Sequence, residues 1–115
     1  MKEFMLIFRL KDIEDFKPTP EQVQERLNWL AGIAAQNKLA DQGNSLLPFP
    51  GSAKTVRPDS VVTDGPYTEI KEFIVGYIVV RTDTIDEAVA MAKENPIFKL
   101  GGNIEIREVL KHKGS

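Results

Sequence analysis

The sequence predicts an α+β domain in which an antiparallel sheet carries two helices on one of its faces. Three observations predict it. Short apolar runs rich in branched and aromatic residues alternate with two segments of helical period. Each helical segment opens on a threonine followed three residues later by Gln or Glu, Thr19 with Gln22 and Thr84 with Glu87. The order of the runs is strand, helix, strand with an appended arm, strand, helix, strand.

Phe4 to Phe8 is bounded by charge and reads as the first strand. Thr19-Pro20-Glu21-Gln22 starts the first helix, because Pro20 suits the first helical position and Thr19 and Gln22 close a capping box. Val23, Leu27, Leu30 and Ala34 make one amphipathic stripe, with Trp29 and Ile33 widening it, and the helix runs to about Asn37. A short strand over Leu39 to Ser45 follows. Leu46-Leu47-Pro48-Phe49-Pro50-Gly51 is an irregular loop, since a central strand does not tolerate two prolines. Lys54 to Arg57 and Val61 to Thr63 form a small hairpin arm around the turn residues Pro58-Asp59. Asp64-Gly65-Pro66-Tyr67 is a turn. Phe73 to Arg81 is the most apolar strand. Thr84 to Glu87 opens a helix with Ile85, Ala88, Val89 and Ala92 on one face, and Asn95-Pro96 stops it. Gly101-Gly102 turns into a last strand where Ile104 and Ile106 alternate with Glu105 and Arg107. This is the split βαβ order of a ferredoxin-like fold, βαββαβ, in one domain spanning 1–115.

The strands are apolar on both faces. Strict alternation puts Phe73, Val75, Tyr77 and Val79 on one side and Ile74, Ile78 and Val80 on the other, with Phe4, Leu6 and Phe8 opposed to Met5 and Ile7. A sheet with one wet face should be polar there. Leaving five large apolar side chains wet forgoes on the order of 10 kcal/mol, at ~1.5–3 kcal/mol each. An isologous homodimer through the sheet face, a dimeric α+β barrel, is the simplest cover. A hydrophobic ligand, a different partner or the Leu46 to Phe49 loop are the alternatives.

Composition narrows function by exclusion. The 115 residues carry 15 basic and 17 acidic side chains and a net charge of −2, with no basic block for nucleic acid. The chain has no cysteine, which excludes disulfides and thiolate chemistry. The apolar run at the N-terminus is too short for a signal peptide or a membrane span, so a cytoplasmic location is the expectation. No phosphate-cradling glycine loop, dinucleotide fingerprint or nucleophile elbow is present, and no cofactor is expected. With one histidine, His112 in a Lys-His-Lys tail, and no convincing carboxylate cluster, no metal site is expected.

The run Val62-Thr63-Asp64-Gly65-Pro66-Tyr67-Thr68-Glu69-Ile70-Lys71-Glu72 resembles the segment that names the DGPF-motif, YCII-related proteins, with Tyr67 in place of their phenylalanine. Gly76-Tyr77, Asp86-Glu87-Ala88 and Gly101 to Arg107 fit in the same order. The resemblance implies the dimeric ferredoxin-like fold and a family whose biochemical role is largely unassigned. Some relatives are thought to use a histidine in the first helix with an aspartate. Those positions fall near Arg26 and Ala35, so that acid/base pair does not carry over.

Asp64 is the candidate catalytic group, a base or ligand acceptor at a strand end beside a cleft. Against that, Asp before Gly commonly bonds the backbone of its own turn. As an acid/base in a dry pocket its pKa would lie above the ordinary aspartate value. Tyr67, Glu69 and Lys71 are candidate ligand-binding residues on the wall of a pocket floored by the sheet, or else solvated surface. Arg9 is a candidate anion clamp that more often pairs with a neighbour such as Glu105. Two functions follow: a small-molecule site near the Asp64 loop with acid/base chemistry, or a non-catalytic dimeric binding module, which in related proteins is associated with transcription regulation.

Overall fold

A computed structural model describes residues 1–11, 17–47, 51–65 and 72–111. The elements are β1 (Lys2–Leu10), α1 (Pro20–Ala35), β2 (Leu39–Ser45), β3 (Lys54–Arg57) and β4 (Val61–Asp64). They continue with β5 (Phe73–Thr82), α2 (Ile85–Ala92), a 3₁₀ turn at Pro96–Leu100 and β6 (Asn103–Glu108). The main sheet runs β2-β5-β1-β6 with every neighbour antiparallel. That is the predicted α+β, ferredoxin-like arrangement, with β3 and β4 forming a separate two-stranded arm.

Both predicted helix starts are present. Thr19 Oγ1 accepts from the Gln22 N–H while Gln22 Oε1 accepts from the Thr19 N–H, closing the box at α1. At α2 the Thr84 hydroxyl accepts from the Glu87 N–H. Ala88 and Ala92 are buried in the core, so small side chains bring α2 close to the sheet. The main core joins Phe4, Leu6, Ile78 and Val80 of the central strands to Ile33 of α1 and to those two alanines. A second cluster packs Leu10 and Val75 on Ile97 of the 3₁₀ turn.

Two details differ from strict periodicity, and both shape the site. First, the β1–β5 register jumps from Phe8↔Gly76 to Arg9↔Ile74, which leaves Val75 without a partner on β1. Such a bulge swaps the faces of the residues beyond it. Val75 and Phe73 therefore join Leu10 on the core side with Ile78 and Val80, not with Tyr77 and Val79 as alternation predicts. The open face keeps a narrower apolar strip, Met5, Ile7, Ile74, Tyr77 and Val79, and only Ile74 among them is exposed. Second, the inward side of α1 is turned away from the predicted stripe. Ile33 is its buried residue, Trp29 and Leu30 pack on the core, and Leu27 and Ala34 face solvent.

Candidate functional site

The rotation of α1 has a chemical consequence. Gln22, Arg26, Trp29 and Ile33 are spaced four, three and four, so they share one helix face. The C-terminal half of that face is apolar and packs. Trp29 stands edge-on to Phe8, with ring centroids 6.1 Å apart, and its Nε1–H donates to the Met91 carbonyl oxygen at 2.9 Å. The N-terminal half presents Gln22 and Arg26, which do not fill the space above the sheet. A cavity of about 430 Å³ opens there, between α1, the β2 edge and the 3₁₀ turn.

Its floor is apolar, with Leu10, Val75 and Ile97 all buried. Its rim is polar, with Arg26 and Ser45 exposed. Gly76 belongs to the lining, and a Cβ there would lie 3.1 Å from the Asn44 carbonyl oxygen and 3.7 Å from the Phe8 ring, so a side chain would intrude between β2 and the floor. The β2 wall is shaped by a local turn within the strand. Asp41 Oδ1 accepts from the Gly43 N–H at 2.8 Å, Gly43 takes a φ of 61°, and the β2–β5 register shifts around it. Gln42 to Ser45 line the cavity as a result. Across the opening, Arg26 Nη1 donates to Ser45 Oγ at 2.9 Å.

Of the predicted site residues, Asp64 and Arg9 are described. Asp64 ends β4 on the arm, directly opposite Lys54 in the register, and pairs with its ammonium at 2.6 Å. The carboxylate is 87% exposed. The hydrogen bond from Lys54, together with its charge, holds the Asp64 carboxyl below the ordinary aspartate range, opposite to the direction that an acid/base role calls for. Arg9 is on the open sheet face and pairs with Glu105 at 2.7 Å, as the alternative reading of its sequence position had it. Neither Asp64 nor Arg9 lines the cavity. Tyr67, Glu69 and Lys71 lie outside the described residues.

Comparison with known proteins adds the family. The model of the YCII-related domain matches residues 7–113, nearly the whole chain. The chain belongs to the YCII-related domain family. No protein of curated function gives a significant match.

In this YCII-related domain the cavity residues Gln22 and Arg26 escape a hydrophobicity reading because they are polar at positions with the period of the core. The available signal was the 22, 26, 29, 33 spacing, which places two polar residues in line with Trp29 and Ile33. Among the described residues no group of three or more metal-ligating side chains converges. No helix among them is long and apolar enough to cross a membrane.

The open face carries a titration of its own. Glu105 accepts from Arg9 and, at 3.2 Å, from Arg107, and these hydrogen bonds hold its carboxyl below the ordinary glutamate value. A depressed carboxylate contributes stability above its unfolded pKa, and this is lost as pH falls through the folded one. Acid unfolding below about pH 4.3, the ordinary glutamate value, is therefore expected to be shallower in Glu105→Gln than in the parent. Circular dichroism along a pH titration checks this, and identical acid limbs would refute it.

Proposed function

We propose that this YCII-related domain is a homodimeric binding module whose ligand, a small molecule, occupies the cavity between α1 and the β2 edge. The observation that carries this reading is the cavity itself, about 430 Å³ with an apolar floor and a polar rim. That volume lies within the ~300–1,000 Å³ span of small-molecule sites, and buried apolar floors with few polar groups are their usual construction. At ~30 Å³ per water it has room for on the order of a dozen waters, which a ligand would displace.

The lining supports binding ahead of acid/base catalysis. Among the described residues it contains no carboxylate, histidine or lysine. The charged member of that lining, Arg26, offers hydrogen-bond donors and no acceptor. Asp64, ionised and clasped by Lys54, holds the arm closed at its open end. Tyr67, Glu69 and Lys71 remain candidates through their place in the chain between β4 and β5.

Val23 lines the cavity from the first turns of α1 and is half-buried, so a larger side chain there fills the space without opening the core. The neutral dye Nile red is expected to bind the parent protein and to quench or shift the emission of Trp29, the single tryptophan. Val23→Phe is expected to weaken that binding at least tenfold while stability changes by less than ~1.5 kcal/mol. Equal dye binding by both proteins would count against the cavity as the site.

The dimer rests on the strip Met5, Ile7, Ile74, Tyr77 and Val79, flanked by the Arg9–Glu105–Arg107 and Glu3–Arg81 pairs. The arm adds Val56, Val61 and Val62, all exposed, on a two-stranded ribbon of a kind that is marginally stable alone. Covering both features with a second copy places opposite charges around an apolar centre. Sedimentation at micromolar concentration is expected to give twice 12.9 kDa. A particle of the single-chain mass removes the dimer from the proposal and leaves the cavity reading untouched.

A further inference from the structure

We infer that the cavity selects small amphiphiles that end in one anionic oxyacid group, with Arg26 as the residue that reads it; this rests on the cavity being the ligand site. Arg26 is the charged side chain among the described lining residues. Its situation differs from that of its neighbours in kind. Arg9, Arg81 and Arg107 each pair with a carboxylate. Arg26 has no carboxylate within ion-pair distance among the described residues, and its hydrogen bond goes to the neutral hydroxyl of Ser45.

That bond ties one arm of the guanidinium to the β2 side of the opening, which orients the planar fork across the rim at little further entropy cost. A guanidinium presents five donors, so a fork held by Ser45 through one of them keeps donors for a bidentate oxyanion. The nearby N-terminal end of α1 adds to the preference. Gln22 and Pro18 reach the cavity, and the positive end of a helix favours an anion close to it. Gln22 itself is committed to the capping box through its side chain, which leaves Arg26 as the principal reader. Beneath the rim, the buried Leu10, Val75 and Ile97 offer no hydrogen bond, so the body of the ligand must be apolar. A polar cationic rim above an apolar floor fits a molecule with one charged end and a hydrocarbon or aromatic remainder.

The test compares four probes by Trp29 fluorescence and calorimetry in the parent protein: octanoate, octyl phosphate, 1-octanol and Nile red. Either anion is expected to bind about tenfold or more tightly than the alcohol, as a charge-assisted hydrogen bond at a partly exposed site provides. Added salt is expected to weaken the anion and spare the alcohol. Whichever of octanoate and octyl phosphate binds more tightly identifies the oxyacid. In Arg26→Met the anion preference is expected to disappear while 1-octanol and Nile red bind as before; Arg26→Lys is expected to restore part of it. Equal binding of anion and alcohol in the parent, or equal weakening of all probes in Arg26→Met, overturns the inference. If Nile red binds and both anions fail, the anion reading falls and the cavity stands. If none of the four binds, the cavity reading falls with it. The parent comparison decides the matter even where a variant does not fold.

Discussion

Replacing Phe4 by alanine is expected to destabilise the domain by ~3–5 kcal/mol, the range for deleting a buried phenylalanine. Phe4 is 1% exposed and lies between Val80 of β5 and Glu108 of β6 in the register. It joins the one cluster that holds the sheet, α1 and α2 together. The substitution removes a ring from a position fixed on two sides by backbone pairing, so the strands cannot move in to close the void. At roughly 4 °C per kcal/mol for a chain of this size, the thermal midpoint falls by about 12–20 °C. Calorimetry at one fixed protein concentration is the measurement, because any dimer makes the midpoint concentration-dependent. Leu110→Ala beyond the end of β6, where the side chain is 77% exposed, is the matched control and is expected to cost under about 0.5 kcal/mol. A Phe4→Ala shift no larger than that of the control would mean that the core is assigned wrongly.

Phe4 also shows how far the sequence could be read. Its strand and its place beside Leu6 follow from local pattern, and so do the threonine caps that start both helices. The βαββαβ order then leaves little freedom for the sheet, and β2-β5-β1-β6 follows from it. The arm was legible for a similar reason, since Pro58-Asp59 allows little besides a reversal.

What stayed hidden depends on single residues that break a period. Nothing local in Phe73-Ile74-Val75-Gly76 announces that Val75 will lack a partner on β1, because a bulge is decided by both strands together. With it went the side assigned to Phe73 and Val75, and part of the apolar area ascribed to the open face. The α1 stripe was misplaced for a related reason. Leu27 and Ala34 outscore Gln22 and Arg26 in hydrophobicity, yet Gln22 and Arg26 line the cavity, Arg26 from its exposed rim. A search for core therefore passes over a site built into the core's own period. Asp64 stands out in the sequence through its turn motif, and in the fold its carboxylate pairs with Lys54 across the arm. In each case the missing information was a non-local pairing, which periodicity along one segment does not contain.

The largest coupled effect is expected at Gly43, where fold and site share one residue. Its φ of 61° lies in the left-handed region, which costs a residue with a Cβ ~1–2 kcal/mol. A Cβ at this position would also run into the backbone carbonyl of Tyr77 on β5, and backbone cannot rotate away as a side chain can. Gly43→Ala must therefore separate β2 from β5 locally or abandon the Asp41 turn that shapes the strand. A loss of ~3 kcal/mol or more is expected, the strain at a special φ/ψ compounded by broken pairing. Gly101 separates the two causes. Its φ is 76°, also left-handed, but a Cβ there meets nothing within 4 Å. Gly101→Ala should then show the backbone strain alone, about 1–2 kcal/mol. Because Gln42 to Ser45 form the β2 wall of the cavity, Gly43→Ala carries a second signature that Gly101→Ala lacks. At temperatures where both variants are folded, Nile red binding should weaken in the first and be unchanged in the second. Equal stability losses would remove the steric argument, and unchanged dye binding in Gly43→Ala would detach the β2 edge from the site.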